Sequence, residues 1–256
     1  MSEIINDNVI KLYNGDCLEL MPQIPDHSVD AVICDPPYQT TACEWDRALP
    51  VAKLWEQYDR IVKPKGNVIL FGAGLFAYKL ALSNEKKFRY ELIWKKSKCG
   101  SPFTAKYMPM KKHENILVFG ESASYYEPQM EEGTPYHRNW TPNKVNNMKY
   151  GISGVSTDNK GTRHPTTILD FPQKWRRQDQ VHPHQKPVEL MEFLIKSYSL
   201  EGQDILDFTA GSGSTLVAAR NTNRNCVGIE KEEAYFKVAC KRLGVENVTE
   251  SYYKID

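Results

Sequence analysis

Short apolar runs alternate along the chain with segments whose apolar residues recur at three- and four-residue spacing. Val9–Tyr13, Val29–Cys34 (VDAVIC), Asn67–Phe71 (NVILF), Tyr90–Trp94, Asn115–Phe119 (NILVF), Asp204–Asp207 and Asn225–Ile229 have the length and composition of buried strands. Val51–Val62, Leu75–Leu82, Val188–Tyr198, Ser214–Asn221 and Glu232–Leu243 carry helical spacing, and the first stops ahead of Pro64-Lys65-Gly66. Apolar strands separated by helices predict an α/β fold, a doubly wound, mostly parallel sheet covered by helices. From Gly120 to around His164 the periodicity fails, and Tyr, Asn, Gly and Pro accumulate near Trp140. A patternless stretch of that length inside a compact domain points to function more than to connection. The expected organisation is one domain in two halves, 1–120 and 182–256, interrupted by an insertion at 121–181.

Composition adds exclusions. The 256 residues are 41% hydrophobic and 11% aromatic, with 15 Gly and 15 Pro, enough for a full core and unlike collagen, low-complexity or wholly disordered chains. No run approaches the ~18 uncharged apolar residues of a membrane helix, and Met1–Asn8 lacks a basic-then-apolar leader. A cytoplasmic protein without membrane contact is therefore expected. Cys17, Cys34, Cys43, Cys99, Cys226 and Cys240 form no Cys-x-x-Cys pair, in keeping with reduced thiols. The net charge of +1 conceals clustering: residues 86–112 carry nine basic and one acidic side chain, residues 137–187 nine and three, and every other segment is net negative. Two solvated loops would leave that pattern, and so would a surface that neutralises phosphates, where counterion release rewards clustered Lys and Arg.

Two motifs carry chemistry. In Ile205-Leu-Asp-Phe-Thr-Ala-Gly-Ser-Gly-Ser-Thr215 an apolar strand ends in Asp207, turns through Gly211 and Gly213, and opens a helix at Ser214. Glycines admit close backbone approach by a ligand, and the free N–H groups of a helix start favour carboxylate or anionic groups. The next strand ends in Glu230, a spacing suited to ribose hydroxyls in nucleotide-binding βαβ units; a solvated carboxylate at a helix start is the plainer alternative. The second motif, Asp35-Pro36-Pro37-Tyr38, follows the strand VDAVIC directly. Its prolines hold the backbone extended, so the Pro36 carbonyl and the Asp35 carboxylate offer two acceptors to the two hydrogens of an aromatic amino group. Tyr38 adds a ring face for stacking. His182 and His184 lack a third ligand at suitable spacing, so no metal is expected.

In these motifs the chain resembles the β class of S-adenosylmethionine-dependent amino-DNA methyltransferases, in which the Asp-Pro-Pro-Tyr motif precedes the glycine motif and a target-recognition segment lies between. Asn14-Gly15-Asp16-Cys17, Asp35 to Tyr38, His182-Pro-His-Gln-Lys-Pro187, and Asp207 to Thr215 followed by Glu230 match in order, with Arg163–Phe171 ahead of the third. The family usually reads Asp-Pro-Phe where this chain has Asp207-Phe208-Thr209, which implies altered packing near the cofactor's methionine end. The resemblance implies a Rossmann-like methyltransferase fold with permuted motif order. It also implies that Asp16, beside Cys17, binds the cofactor adenine, although Asp16 would equally serve as a helix N-cap. Glu230 is implied for the ribose, and Gly211, Ser212 and Gly213 for the methionine moiety, with Lys186 and Ser214 near its carboxylate; Asp207 and Phe208 are implied as further cofactor-binding residues.

The implied reaction is methylation of adenine N6 in double-stranded DNA at a specific site. Asp35 and Pro36 would localise the amino lone pair, Pro37 would hold the backbone, and Tyr38 would stack on a base flipped from the duplex. Lys95, Lys96, Lys98, Lys111 and Lys112 of a basic loop at 95–112 would meet phosphates, with Phe103, Tyr107 or Met108 filling the vacated space. The 121–181 insertion would read sequence with Arg138, Asn139, Lys144, Asn146, Asn147, Arg163, Arg176 and Arg177 as candidate contacts. Relatives in the class suggest a homodimer, a prokaryotic or phage source, and, where restriction is involved, a separate endonuclease. Cytosine-N4 methylation, an RNA or protein amide substrate, and a DNA-binding module with a decayed cofactor loop are the competing readings.

Overall fold

A computed structural model of the chain describes residues 9–38, 49–100, 103, 105–139, 157–173 and 185–244. Arg176, Arg177, Lys144, Asn146, Asn147, Trp140, His182 and His184 lie outside these. The chain divides into two compact units, Met1–Glu127 with Thr167–Asp256, and Pro128–Thr166.

In the larger unit the elements run β1 (Ile10–Asn14), α1 (Cys17–Leu20), β2 (Val29–Cys34), α2 (Val51–Ile61), β3 (Val62–Gly72), α3 (Leu75–Leu82), β4 (Phe88–Lys95) and β5 (His113–Gly120). The smaller unit holds β6 (Glu131–Glu132), β7 (Tyr136–Arg138), β8 (Thr157–Asn159) and β9 (Thr162–Arg163), paired antiparallel as β6 with β9 and β7 with β8. The larger unit resumes with β10 (Ile168–Leu169), α4 (Val188–Tyr198), β11 (Asp204–Asp207), α5 (Ser214–Asn221), β12 (Asn225–Glu230) and α6 (Glu233–Arg242).

Eight described strands form one sheet in the order β1-β12-β11-β2-β3-β5-β4-β10, parallel except where β5 runs against β3 and β4. This is the mostly parallel α/β sheet that the apolar runs predict. Successive side chains of a strand face opposite sides, and both sides are buried. Ala31, Ile33, Ile69, Phe71, Ile116 and Val118 pack under Leu190, Leu194 and Tyr198 of α4, Leu216 of α5 and Phe236 of α6. Their neighbours Val32, Cys34, Val68, Leu70, Leu117 and Phe119 pack under Leu54, Trp55, Tyr58 and Ile61 of α2 and Ala77 and Leu80 of α3. The buried residues of α2 fall at helical spacing, so one stripe faces the sheet and the other faces water.

Strand β3 departs from expectation. It begins at Val62 and contains Pro64-Lys65-Gly66, which the sequence pattern places in a break. The ladder with β2 passes from Val29↔Val62 to Ala31↔Asn67. The proline, which has no N–H to give, thus sits where the register shifts and no ladder donor is needed.

Candidate active site

In parallel sheets the C-terminal strand ends gather at one edge, and ligands bind there. Here β1, β12, β11 and β2 are consecutive and parallel, with Asn14 opposite Glu230 and Leu206 opposite Val32. Asp16, Glu230, Asp207 and Asp35, scattered over the sequence, therefore stand along one edge. Lys96 follows β4 and Glu114 is the second residue of the antiparallel β5, opposite Trp94, which brings both to the same edge.

The glycine turn and the Asp-Pro-Pro-Tyr turn touch. The Thr209 hydroxyl donates to the Asp35 backbone carbonyl at 3.0 Å, and Cys34 Sγ lies 2.8 Å from the same hydroxyl. Beneath the turn Asp207 is buried; it accepts from Thr215 Oγ1 at 2.5 Å and from the Thr209 amide at 3.2 Å. Burial raises its pKa to about 6 against the opposing pull of those donors. Phe208 is buried in the core, its ring 5.6 Å from that of Tyr58. The unusual Phe208-Thr209 pair thus fills the core with one residue and ties the two turns with the other.

Gly211 and Gly213 have φ of +53° and +75°, a region that side chains resist. A Cβ on Gly213 would lie 3.0 Å from that of Ala239. Arg242 Nη1 donates to the Ser212 carbonyl at 2.6 Å, and the Ser214 hydroxyl donates to the Lys186 carbonyl at 3.0 Å. Glu230 accepts one backbone N–H on each oxygen, Gly211 at 2.7 Å and Glu232 at 2.7 Å. Each carboxylate oxygen has capacity for more than one donor. Burial, the largest influence, raises the Glu230 pKa. Asp16 caps α1 by accepting from the Leu18 amide at 2.9 Å and pairs with Lys231 at 2.9 Å; next to it Cys17 is buried, and burial first, then Asp16, pushes its thiol up to about 12. The narrow glycine turn and the two edge carboxylates fit a nucleoside bearing an amino acid moiety.

At Asp35 both carboxylate oxygens are engaged. Tyr38 donates its hydroxyl to Oδ1, and Lys186 donates to Oδ2. Burial and then Asp35 hold the Tyr38 hydroxyl well above its ordinary pKa, so it remains a donor. The Tyr38 ring stacks on Phe76, centroids 5.1 Å apart and 28° from parallel. Pro36 is buried and Pro37 half-buried; both line an apolar recess with Leu54, Tyr58 and Leu70.

Lys186 is 7% exposed and lies within 3.2 Å of a second carboxylate, Glu114, itself 7% exposed. Glu114 Oε1 accepts from Lys96 at 2.7 Å. Burial alone would neutralise both Lys186 and Glu114, but their mutual attraction outweighs it: Asp35 and Glu114 raise Lys186, and Lys186 and Lys96 lower Glu114 to about 2. Sequence reasoning passes over Glu114, although a carboxylate opening the apolar run Asn115–Phe119 behind Lys111-Lys112 is a signal of a paired buried charge.

The basic positions separate by environment. Lys95, Lys98, Lys106 and Lys112 are exposed, Lys95 pairing with Asp170 at 2.6 Å, and Lys111 is half-buried. Phe103, Tyr107 and Met108 are 94%, 85% and 57% exposed, unusual for such side chains. In the smaller unit Arg138 and Asn139 are exposed, with Asn139 Oδ1 2.7 Å from His137 Nε2. Arg163 turns inward: it donates to the Thr134 and Thr162 carbonyls and to Asn159, and lies 4.7 Å over the Tyr136 ring. Among the described residues no group of three or more His, Cys, Asp or Glu could hold a metal, and no helix is long and apolar enough to cross a membrane.

The sequence model of a family described as DNA methylase matches residues 29–241. The type II methyltransferase M2.DpnII of Streptococcus pneumoniae is 25% identical over 272 residues, covering 95% of this chain and 93% of the relative. Among solved structures, the M1.HpyAVI–SAM complex superposes with a TM-score of 0.62 at 24% identity, covering 92% of this chain and 99% of that one. PvuII DNA methyltransferase, described as cytosine-N4-specific, superposes with a TM-score of 0.67 at 17% identity, covering 94% and 88%. At these identities the two structural likenesses speak for the fold.

Proposed function

We propose that this chain, which belongs to the DNA methylase family, methylates the exocyclic N6 of adenine in double-stranded DNA, with S-adenosylmethionine as donor. That it is a DNA methyltransferase of the N6/N4 family follows from membership and from its type II methyltransferase relatives; the target atom, the duplex and the residue roles are the proposal. The observation that carries it is the meeting of the two turns: Thr209 of the glycine turn is hydrogen-bonded to the backbone of Asp35.

The glycine turn, Glu230 and Asp16 are suited to hold S-adenosylmethionine by its methionine, ribose and adenine parts, and a solved structural neighbour is a complex with SAM. When bound, that cofactor supplies an electrophilic methyl carbon on a sulfonium and leaves as a thioether. The exocyclic nitrogen of adenine is a poor nucleophile because its lone pair is shared with the ring. The Asp35 carboxylate and the Pro36 carbonyl accept its two hydrogens and favour a localised lone pair. The same carboxylate stabilises the positive charge that grows on nitrogen and stands ready to take up the proton released. Tyr38, backed on one ring face by Phe76, offers its other face to the base.

A base inside a duplex cannot reach this edge and must be flipped out. Lys95, Lys98, Lys106 and Lys112 supply charge for phosphates, and the exposed Phe103, Tyr107 and Met108 supply apolar groups for the gap left behind. Arg138 and Asn139 of the smaller unit are our candidates for reading base edges. Incubation with methyl-labelled cofactor and duplex DNA, followed by hydrolysis to nucleosides, tests the proposal. Label in N6-methyladenine is expected. Label in N4-methylcytosine would favour the second reading, prompted by the cytosine-N4-specific neighbour, and unlabelled DNA would overturn both.

A further inference from the structure

We infer that Glu114 is a positioning residue that acts through Lys186, taking the lysine ammonium off Asp35 when the target amino group arrives. This rests on the proposed function, in which Asp35 must accept a hydrogen bond from the substrate. Both Asp35 oxygens already have a donor, Tyr38 on Oδ1 and Lys186 on Oδ2. Each oxygen has a second lone pair to offer, so an incoming amino group that shares one meets either the Tyr38 hydroxyl or the Lys186 ammonium beside it. Tyr38 is neutral and can remain. An ammonium left on Asp35 would weaken the carboxylate as an acceptor and repel the charge developing on nitrogen.

Lys186 cannot simply swing into water, since it is 7% exposed and its ammonium lies 4.9 Å over the Phe71 ring. Leaving a buried ammonium unpaired is expensive. Among the described residues its ion-pair partners are Asp35 and Glu114. Glu114 is prepared for the role. Its Oε1 is anchored by Lys96 at 2.7 Å, whereas its buried Oε2 makes the 3.2 Å contact with Lys186 without a directed hydrogen bond. That oxygen is an acceptor awaiting a better-aligned donor. The chain Lys96–Glu114–Lys186–Asp35 has no net charge, so passing Lys186 from one carboxylate to the other keeps the total unchanged while freeing Asp35.

Two measurements test this. Single-turnover methylation at saturating cofactor should fall at least tenfold in Glu114→Gln with cofactor Kd within threefold of wild type, and Glu114→Asp should retain the rate within threefold. In a Lys186→Met background, Glu114→Gln should cost less than threefold, because the clamp it fails to release is gone. Additive losses, or a Glu114→Gln rate equal to wild type, would overturn the inference; the latter would mean that the cofactor carboxylate alone draws Lys186 away. Separately, unfolding cycles with Asp35→Asn and Lys186→Met read the Asp35–Lys186 coupling without any methyl transfer. Glu114→Gln should strengthen that coupling at least fivefold in unfolding equilibrium constant, and an unchanged coupling would refute the two-seat arrangement. Should wild type methylate no DNA, the proposed function fails while the unfolding cycle still decides whether Glu114 competes for Lys186.

Discussion

Thr209→Val removes one hydroxyl from the junction of the two turns and keeps the branched shape of the side chain. The hydroxyl lost donates to the Asp35 carbonyl at 3.0 Å. Losing a hydrogen bond of this kind costs about 1 kcal/mol net, rising to about 3 kcal/mol if the carbonyl stays buried without a partner. For a chain of this size about 1 kcal/mol corresponds to a Tm shift of ~2–4 °C. Thermal unfolding should therefore show a loss of about 2–12 °C across that range. The larger consequence falls on the site, because this bond fixes the backbone that carries the Asp35 carboxylate against the loop proposed to hold the cofactor. Small misplacements of reacting groups are costly, ~100-fold for an ångström. We expect single-turnover methylation to fall about tenfold, equivalent to ~1.4 kcal/mol of barrier, with cofactor affinity little changed. A lowered Tm with an unchanged rate would refute the reasoning, since the bond would then hold the fold and not the site.

Gly213→Ala places a Cβ 3.0 Å from that of Ala239 at φ +75°; strain of about 1–2 kcal/mol should appear in chemical denaturation, with weakened cofactor binding in calorimetry. Glu114, held at about 2 in the folded chain against an ordinary 4.5, favours the folded state fully above pH 4.5 and loses that contribution as pH falls toward 2. Its pH-dependent part is on the order of 3 kcal/mol, so the stability gap between wild type and Glu114→Gln should narrow from pH 5 to pH 2; a constant gap would show that the carboxylate is not ion-paired. If Lys95, Lys98, Lys106 and Lys112 each neutralise a phosphate, log affinity for duplex DNA should fall against log salt with a slope of about −4, and a flat response would remove the basic loop from the interface.

The strands and helices were legible because their residues obey two periods at once, two along the strands and three to four along the helices. Asp35–Tyr38 and the Gly211–Gly213 turn were legible because prolines and glycines at strand ends restrict the backbone locally. Pro64 misled, since a proline signals a break unless a register shift absorbs it, and the shift depends on β2, more than thirty residues away. Glu114 and the Thr209 link were hidden for the same reason. Their partners are supplied by strand order, with Lys186 meeting Asp35 across 151 residues and Thr209 meeting it across 174. Arg163 shows the converse: a basic residue in a basic block, whose guanidinium the local strand pairing turns onto carbonyls of its own unit.

Asp35→Ala removes the carboxylate proposed to receive the target nitrogen, and methyl transfer to DNA and cofactor affinity can be measured on the same preparation. Transfer should disappear while calorimetry returns a cofactor Kd close to that of wild type. Transfer that persists, or a Kd that collapses together with it, would contradict the placement of the target nitrogen on this carboxylate.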